Sequence, residues 1–239
     1  MKAIVWDMDG TLVDSEPLWG IATYEMSEKM GARITEDVRA QTVGGTTENT
    51  VRLCAAFNDL TLTPEEEADW AQWMFDRVGE LLSKELEFRP NIPELLAEAN
   101  QRNIPMALAT NTTRSLTALA LNTINEDHFH FTVCADEVDA GKPAPDLYLT
   151  AAKALGVDPG DCLVLEDSTA GMQAGLAAGC RVLGVPTEDD VAIPDGVPTI
   201  SELAGQNTLA GMSIADLEDM FARIEPLAPK AGGIGASSA

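Results

Sequence analysis

The sequence predicts an α/β fold: a parallel sheet with helices on both faces and an all-helical insert after the first strand. From Arg89 onward, short apolar segments alternate with segments of helical periodicity, which is typical of a parallel sheet. The first apolar run, Ala3 to Trp6, lies apart from these segments at the start of the chain. Between them, from about Leu18 to Leu86, apolar residues recur at helical spacing without a strand signal. The sheet should therefore begin before this insert and resume after it.

The insert should consist of several helices separated by short breaks. Thr63 followed by Pro64 and two glutamates is typical of a helix start, with threonine as the N-cap and proline in the first turn. The pair Gly44-Gly45 predicts a break in the middle of the insert. We assign residues 15–87 to this helical cap domain, and residues 1–14 and 88–226 to the core.

The core should contain four more strands, at Met106–Ala109, Phe131–Cys134, Cys162–Leu165 and Arg181–Val185. Helices are predicted at Ile92–Asn100, Leu116–Leu121, Asp146–Leu155 and Thr169–Ala178. Short strands in alternation with helices require crossover connections, and so the strands should run parallel. Residues 227–239 are rich in Gly, Ala and Ser, which predicts a flexible tail.

The composition limits the classes of function. The 239 residues carry a formal net charge of −24, which argues against binding to nucleic-acid backbones or anionic membranes. No apolar run is long enough to span a bilayer, and the chain begins without a signal peptide. The four cysteines lack CxxC spacing, so we expect buried reduced thiols. These features predict a cytoplasmic protein, which we expect to be a monomer or a weak dimer.

Polar residues suited to chemistry follow four of the predicted strands. They are Asp7 and Asp9 after the first strand, Thr110 and Asn111 after the second, Lys142 in the loop after the third, and Glu166 and Asp167 after the fourth. The carboxyl ends of parallel strands meet at one edge of a sheet, where ligands of such folds bind. We therefore expect these side chains to form one site, although Asp167 or Ser168 is also a good N-cap for the helix that follows.

These residue types favour phosphoryl transfer assisted by Mg²⁺. Carboxylate oxygens without Cys or His nearby suit Mg²⁺, and a bound cation would relieve the repulsion between the paired aspartates. Asp7 can attack phosphorus to form an aspartyl-phosphate, and Asp9, on the same side of an extended chain, can protonate the leaving oxygen. Gly10 lets backbone N–H groups approach a phosphate, while Thr110 offers a hydroxyl and Lys142 a positive charge.

Four segments of the chain resemble the motifs of a known family. "DMDGTLVDSEP", "ALATNTT", "GKPAPDLYL" and "LVLEDSTAGMQAGLAAGC" are similar, in order, spacing and residue type, to the four motifs of the haloacid dehalogenase (HAD) superfamily, in its phosphatase and β-phosphoglucomutase branch. The resemblance covers residues 1 to about 185. It implies a Rossmann-like catalytic core with a mobile helical cap that excludes water and selects the substrate.

The resemblance also implies a role for each matching residue. Asp7 would be the nucleophile and Asp9 the general acid and base. The phosphate would be bound by Thr110 and Lys142, to which we add Gly10 and Asn111. A Mg²⁺ ion would be held by Asp7, Asp167 and the backbone carbonyl of Asp9, with Glu166 in or near the metal site.

Transfer of the phosphoryl group to water is favoured over the related chemistries. A β-phosphoglucomutase needs basic residues and a histidine in the cap, and neither Pro17–Gly20 nor Thr42–Thr47 contains Lys, Arg or His. A dehalogenase has no use for Asp9 as a proton donor. A phospho-acceptor regulatory protein of the receiver type lacks a large helical cap, and its phosphorylated aspartate lies on a middle strand. Here the candidate nucleophile follows the first strand and a helical cap is predicted. The mutase and the regulatory protein remain the alternatives.

The predicted substrate is a small phosphorylated metabolite, of the sugar or polyol phosphate class. Trp19 lies just after the first motif and would form an apolar wall of the substrate site. Thr46 and Thr47 would offer hydroxyl groups to a neutral, hydroxylated substrate body.

Overall fold

A computed structural model describes residues 1–43, 46–188 and 191–225 of the chain. Five parallel strands form one sheet: β1 (Ala3–Trp6), β2 (Met106–Thr110), β3 (Phe131–Cys134), β4 (Cys162–Glu166) and β5 (Arg181–Gly184). Their order across the sheet is β3-β2-β1-β4-β5. The predicted α/β fold is thus confirmed, and β1 lies at the centre. The predicted break at Gly44-Gly45 and the predicted tail at 227–239 lie outside the described residues.

Ten α-helices occur in the described part of the chain. The insert holds α1 (Glu16–Met30), α2 (Glu36–Ala40), α3 (Thr47–Phe57) and α4 (Pro64–Glu85). The core holds α5 (Ile92–Gln101), α6 (Arg114–Ile124), α7 (Asp146–Leu155), α8 (Thr169–Ala177), α9 (Ile200–Ala204) and α10 (Ile214–Arg223). No helix among the described residues is long and apolar enough to cross a membrane.

The two faces of the sheet carry side chains of different size, because successive strand residues point to opposite faces. Large side chains such as Ile4, Trp6 and Leu165 join a cluster that continues through α5, α6, α10 and the helices of the insert. The other face carries smaller residues, such as Ala3 and Ala107, against α7 and α8. By this parity, Asp7 at the end of β1 and Glu166 at the end of β4 belong to the face of α7 and α8.

The helices of the insert pack on one another and on the core. The predicted start of α4 is confirmed, since Thr63 and Glu66 form a reciprocal capping box and Pro64 occupies the first turn. Helix α4 packs against α1 and α3 within the insert and against α6 of the core. The assignment of residues 15–87 as a separate cap domain remains a prediction.

The predicted core elements are found, with ends that shift by up to three residues. The largest shift is at α6, which ends at Ile124 rather than Leu121 and begins at Arg114, since Thr113 adopts the extended conformation of an N-cap. Its apolar spacing marked only the buried central turns. Helices α9 and α10 were not predicted, although both begin with a capping box, at Thr199 and Ser213.

The strand order places a crevice between β1 and β4. The connections run from β1 outward to β2 and β3, then cross back to β4 on the other side of β1. Ligands of open α/β sheets bind at the carboxyl ends of the strands where the order reverses in this way. Asp7 and Glu166 end the two strands that flank the crevice, and the amide of Asp7 donates to the carbonyl of Leu165 at 3.1 Å.

Candidate active site

A buried lysine joins the two carboxylates that flank the crevice. The Nζ atom of Lys142 donates to Oδ1 of Asp7 at 2.5 Å and to Oε1 of Glu166 at 2.6 Å. The side chains of all three residues are at most 8% exposed. Burial lowers the pKa of Lys142, but the charges of Asp7 and Glu166 outweigh it and raise the pKa. The lysine is therefore a permanent positive charge beside the carboxylate predicted to act as nucleophile.

Asn111 holds the backbone of Lys142. Its Oδ1 accepts from the amide of Lys142 at 2.8 Å, and its Nδ2 donates to the carbonyl of the same residue at 3.2 Å. The sequence predicted this side chain to bind phosphate. These bonds tie the loop of Lys142 to the end of β2, and contact of Asn111 with a phosphate remains a prediction.

The Glu166 carboxylate is held by donors from α7 and from the start of α8. Oε1 also accepts from the hydroxyl of Tyr148 at 2.5 Å, and Oε2 accepts from the hydroxyl of Ser168 at 3.0 Å. Glu166 is fully buried, and a Cβ atom at Gly171 would lie 1.8 Å from Oε1. These contacts position Glu166 against Lys142. Sequence reasoning missed Tyr148. It lies in the motif "GKPAPDLYL", from which only Lys142 was predicted to act.

Asp167 lies against the loop that follows β1. The hydroxyl of Thr11 donates to its Oδ1 at 3.4 Å. Gly10 has a φ of +84°, and a Cβ atom there would be 2.0 Å from Oδ2 of Asp167. Both the backbone conformation and the close approach require glycine at this position. Ser168, and not Asp167, caps α8, since its hydroxyl accepts from the amide of Gly171 at 3.1 Å.

The carboxylates of Asp7, Glu166 and Asp167 form a cluster with an excess of negative charge. Each offers a ligand atom, and these atoms all lie within 4.8 Å of one another. Against three carboxylates, Lys142 supplies one positive charge, which leaves two negative charges for one divalent cation to neutralise. Burial and the charge of Glu166 raise the pKa of Asp7 well above its usual value, and the same causes raise the pKa of Asp167 to about 7.

The donor set of this cluster fits a hard divalent cation. All of its ligand atoms are carboxylate oxygens, and no Cys or His belongs to it. The side chain of Asp9 is not part of the cluster, and the role of its backbone carbonyl as a metal ligand remains a prediction. Glu166 lies in the cluster, but its oxygens are already used by Lys142, Tyr148 and Ser168.

The Asp9 carboxylate lies in a group of hydroxyls, which we call the hydroxyl cradle: Ser15, Thr110 and Thr112. Ser15 donates to Oδ1 at 2.6 Å, and Thr112 and Thr110 donate to Oδ2 at 2.7 and 3.4 Å. A hydroxyl both donates and accepts, so it can bind an ionised or a protonated carboxyl group. This environment suits a residue that gives up and regains a proton.

Thr110 lies where it was predicted, but its hydroxyl faces Asp9 and accepts from the amide of Thr112. Sequence reasoning missed Ser15 and Thr112 as partners of Asp9. The only available signal was the run of hydroxyl residues in "TNTT", which by itself is typical of a strand-to-helix loop.

The three predicted specificity residues have structural contacts. Trp19 is half-buried against the main apolar cluster. Thr46 caps α3, because its hydroxyl accepts from the amide of Asn49 at 3.2 Å. Thr47 is the first residue of α3. Their contact with a substrate remains a prediction.

Comparison with known proteins gives a family and several relatives. Residues 1–179 match the family model described as haloacid dehalogenase-like hydrolase. The chain is 34% identical to protein CbbY of Rhodobacter capsulatus over 221 residues, which cover 86% of this chain and 96% of the relative. It is 33% identical to hexitol phosphatase A of Escherichia coli, with 79% and 85% of the two chains covered. It is 30% identical to β-phosphoglucomutase of Bacillus subtilis, with 77% and 83% covered.

A solved structure has the same fold. Crystals of a CbbY mutant from Rhodobacter sphaeroides, in complex with xylulose-1,5-bisphosphate, show a protein that superposes on this chain with a TM-score of 0.73. The two are 25% identical, and the match covers 91% of this chain and 99% of the other.

The raised pKa values predict how metal binding depends on pH. Because the folded pKa of Asp167 is about 7 and that of an unfolded aspartate is about 4, the metal-free fold loses stability as the pH rises between these values. A cation must displace the protons, so it binds better as the pH rises. We expect saturating MgCl₂ to raise Tm more at about pH 8 than at about pH 5.5. Circular dichroism melts measure this, with NaCl at matched ionic strength as control, and an equal shift at both pH values would contradict the cluster's role.

Gly171 provides a second prediction. Alanine normally stabilises a helix interior by up to about 1 kcal/mol relative to glycine. Gly171→Ala should instead destabilise the protein by about 2 kcal/mol, because its Cβ would collide with the Glu166 carboxylate. Urea unfolding measures the change. Gly160→Ala is the control, since its Cβ would lie 3.8 Å from the nearest atom, the carbonyl oxygen of Gly179. Equal stability of the two variants would show that Glu166 is not held as described.

Proposed function

The chain belongs to the haloacid dehalogenase-like hydrolases, and on that premise we propose that it is a Mg²⁺-dependent phosphatase that hydrolyses small sugar or polyol phosphates through an aspartyl-phosphate. One observation carries the proposal. The ammonium group of buried Lys142 bridges Asp7 and Glu166 at the crevice between β1 and β4, beside Asp167. This arrangement provides a nucleophile, a fixed positive charge and oxygen ligands for a cation in one place.

In the first half of the reaction, Asp7 attacks phosphorus. Lys142 holds Oδ1 of Asp7, so we assign the attack to Oδ2, which takes no hydrogen bond from the described residues. A bond forms between this oxygen and phosphorus as the ester bond breaks, and Asp9 gives a proton to the departing oxygen. Lys142 stabilises negative charge on the phosphoryl oxygens. A bound Mg²⁺ ion would supply further charge stabilisation, with Asp7, Asp167 and the Asp9 carbonyl as its protein ligands.

In the second half, water replaces the protein as the acceptor. Asp9, now ionised, takes a proton from a water molecule that attacks the aspartyl-phosphate. The bond between Asp7 and phosphorus breaks, and inorganic phosphate and the free carboxylate are produced. Asp9 ends in its protonated form, ready for the next substrate.

The charges around the site favour a substrate with a single phosphate. Arg39 pairs with Glu16, Arg89 with Asp14 at 3.3 Å, and Arg114 with Glu137 at 2.7 Å. Each of these three arginines thus already has a carboxylate partner. A second phosphate would have to compete with that carboxylate, whereas a neutral polyol body would meet hydroxyls and the Trp19 ring.

A phosphosugar mutase is the second candidate, because a β-phosphoglucomutase is among the relatives. A mutase must retain a bisphosphate intermediate while it turns around in the site. The paired arginines and the hydroxyl side chains at Thr46 and Thr47 do not provide free cations for that purpose.

We propose cytoplasmic localisation on the basis of four buried cysteines without disulfides, which a reducing compartment would preserve.

Phosphate release tests the proposed function. We expect the wild type with Mg²⁺ to release phosphate continuously from p-nitrophenyl phosphate and from sorbitol 6-phosphate, and EDTA to abolish this release until Mg²⁺ is restored. Asp7→Asn should lower kcat by at least about 10³-fold, because an amide is not a nucleophile here. The exposed Asp69→Asn is the matched control and should behave as wild type. Normal turnover by Asp7→Asn would refute the assigned nucleophile, and a single equivalent of phosphate would favour a phospho-acceptor protein.

The three paired arginines predict that the protein prefers substrates with one phosphate to substrates with two. We expect kcat/KM for sorbitol 6-phosphate to exceed that for fructose 1,6-bisphosphate by about tenfold or more, because the second phosphate finds only paired arginines. With β-glucose 1-phosphate and a trace of glucose 1,6-bisphosphate, inorganic phosphate should appear without glucose 6-phosphate. Formation of glucose 6-phosphate would favour the mutase, and a preference for the bisphosphate would refute the single-phosphate substrate.

A further inference from the structure

We infer that Thr112 is a positioning residue, whose hydroxyl fixes the plane of the Asp9 carboxyl group so that it points at the leaving-group oxygen. This inference rests on the proposed function, in which Asp9 donates the proton. It assigns to Thr112 a role that the motif comparison did not give, since only Thr110 and Asn111 were expected to act from this loop.

The hydrogen bonds to Asp9 divide between its two oxygens. Ser15 binds Oδ1 at 2.6 Å and Thr112 binds Oδ2 at 2.7 Å, whereas Thr110 reaches Oδ2 only at 3.4 Å. Rotation of an aspartate carboxyl group about its last bond is broad, because that torsion has no strong preference. A donor on one oxygen leaves this rotation open, and a second short hydrogen bond on the other oxygen closes it. Thr112 supplies that second bond.

Thr112 is itself held by the core. Its amide donates to the hydroxyl of Thr110 at 3.0 Å, and its side chain is half-buried. Two residues later α6 begins at Arg114, whose amide donates to Asp136 at 2.9 Å and whose guanidinium pairs with Glu137. The loop between β2 and α6 is thus anchored at both ends. Ser15, in contrast, directly precedes α1 of the insert, so its position depends on that of the insert.

The alternative role for Thr112 is direct binding of the phosphate, which a hydroxyl at this edge of the sheet can provide. The two roles differ in what they affect. A phosphate ligand contributes equally to every phosphomonoester and to inorganic phosphate. A residue that aims a proton donor matters for the first half of the reaction, which kcat/KM reports, only when the leaving oxygen needs a proton: the oxygen of an alkyl ester does, whereas p-nitrophenolate departs as a stable anion. The general-base step of Asp9 in the second half is common to all substrates and enters kcat alone.

The test is the effect of Thr112→Val on two substrates. Valine keeps the shape of threonine and removes the hydroxyl. We expect kcat/KM for sorbitol 6-phosphate to fall about tenfold, the loss typical of one hydrogen bond. With p-nitrophenyl phosphate we expect kcat/KM to change less than about twofold, and the inhibition constant of inorganic phosphate should stay the same.

Two further variants control the result. Thr112→Ser keeps the hydroxyl and should restore most of the activity toward sorbitol 6-phosphate, whereas Thr112→Ala should resemble the valine variant. Thr113→Val removes the neighbouring hydroxyl, which pairs with Ser115 at 3.2 Å, and should leave both substrates unaffected. If valine does not allow folding, the comparison of serine with alanine gives the same answer.

The outcomes distinguish failure of the positioning role of Thr112 from failure of the proposed phosphatase function. Equal loss for both substrates, together with weaker inhibition by phosphate, would overturn the positioning role and make Thr112 a phosphate ligand. Unchanged activity of Thr112→Val toward sorbitol 6-phosphate would also overturn it. A wild type that releases phosphate from neither substrate would instead refute the proposed function.

Discussion

The site is organised by the contact of one buried ammonium group with two buried carboxylates. Lys142 lies between Asp7 and Glu166, and none of the three has appreciable access to water. A charge in such surroundings is stable only with a partner, so each of the three fixes the others. Asn111, Tyr148 and Ser168 then hold the members of this group in place, which explains why so many side chains of the strand ends are committed to one another.

This charged group and the hydroxyl cradle around Asp9 are separate parts of the site. Asp7 and Glu166 occur on the face of the sheet covered by α7 and α8, and Tyr148 of α7 donates to Glu166 there. Two residues on, Asp9 meets hydroxyl groups and no cation among the described residues. The loop after β1 thus carries both the proposed nucleophile, which is held by Lys142, and the proposed acid, which is held by hydroxyl groups.

Sequence patterns predicted the sheet, the helices between its strands and the residues at the strand ends, because each depends on local spacing, whereas α9 and α10 after β5 were missed. Asp7, Lys142 and Asp167 were found in this way, since parallel strands bring their carboxyl ends to one edge. Tyr148 and Thr112 were missed because their roles arise from contacts between distant segments, such as the pairing of Thr112 with Asp9. The use of Asn111 to hold a loop, and of Thr46 to cap a helix, likewise follows from three-dimensional neighbours that spacing alone does not reveal.

The central claim is that the three carboxylates of Asp7, Glu166 and Asp167, with one positive charge from Lys142, keep two uncompensated negative charges and take up one divalent cation. Calorimetric titration of the full chain with Mn²⁺ tests this claim directly. We predict one ion bound per chain at neutral pH, binding weakened at least about tenfold in Asp167→Asn, and binding retained in Asp9→Asn, whose side chain lies outside the cluster. No binding by the wild type, or equal binding by Asp167→Asn, would contradict the claim.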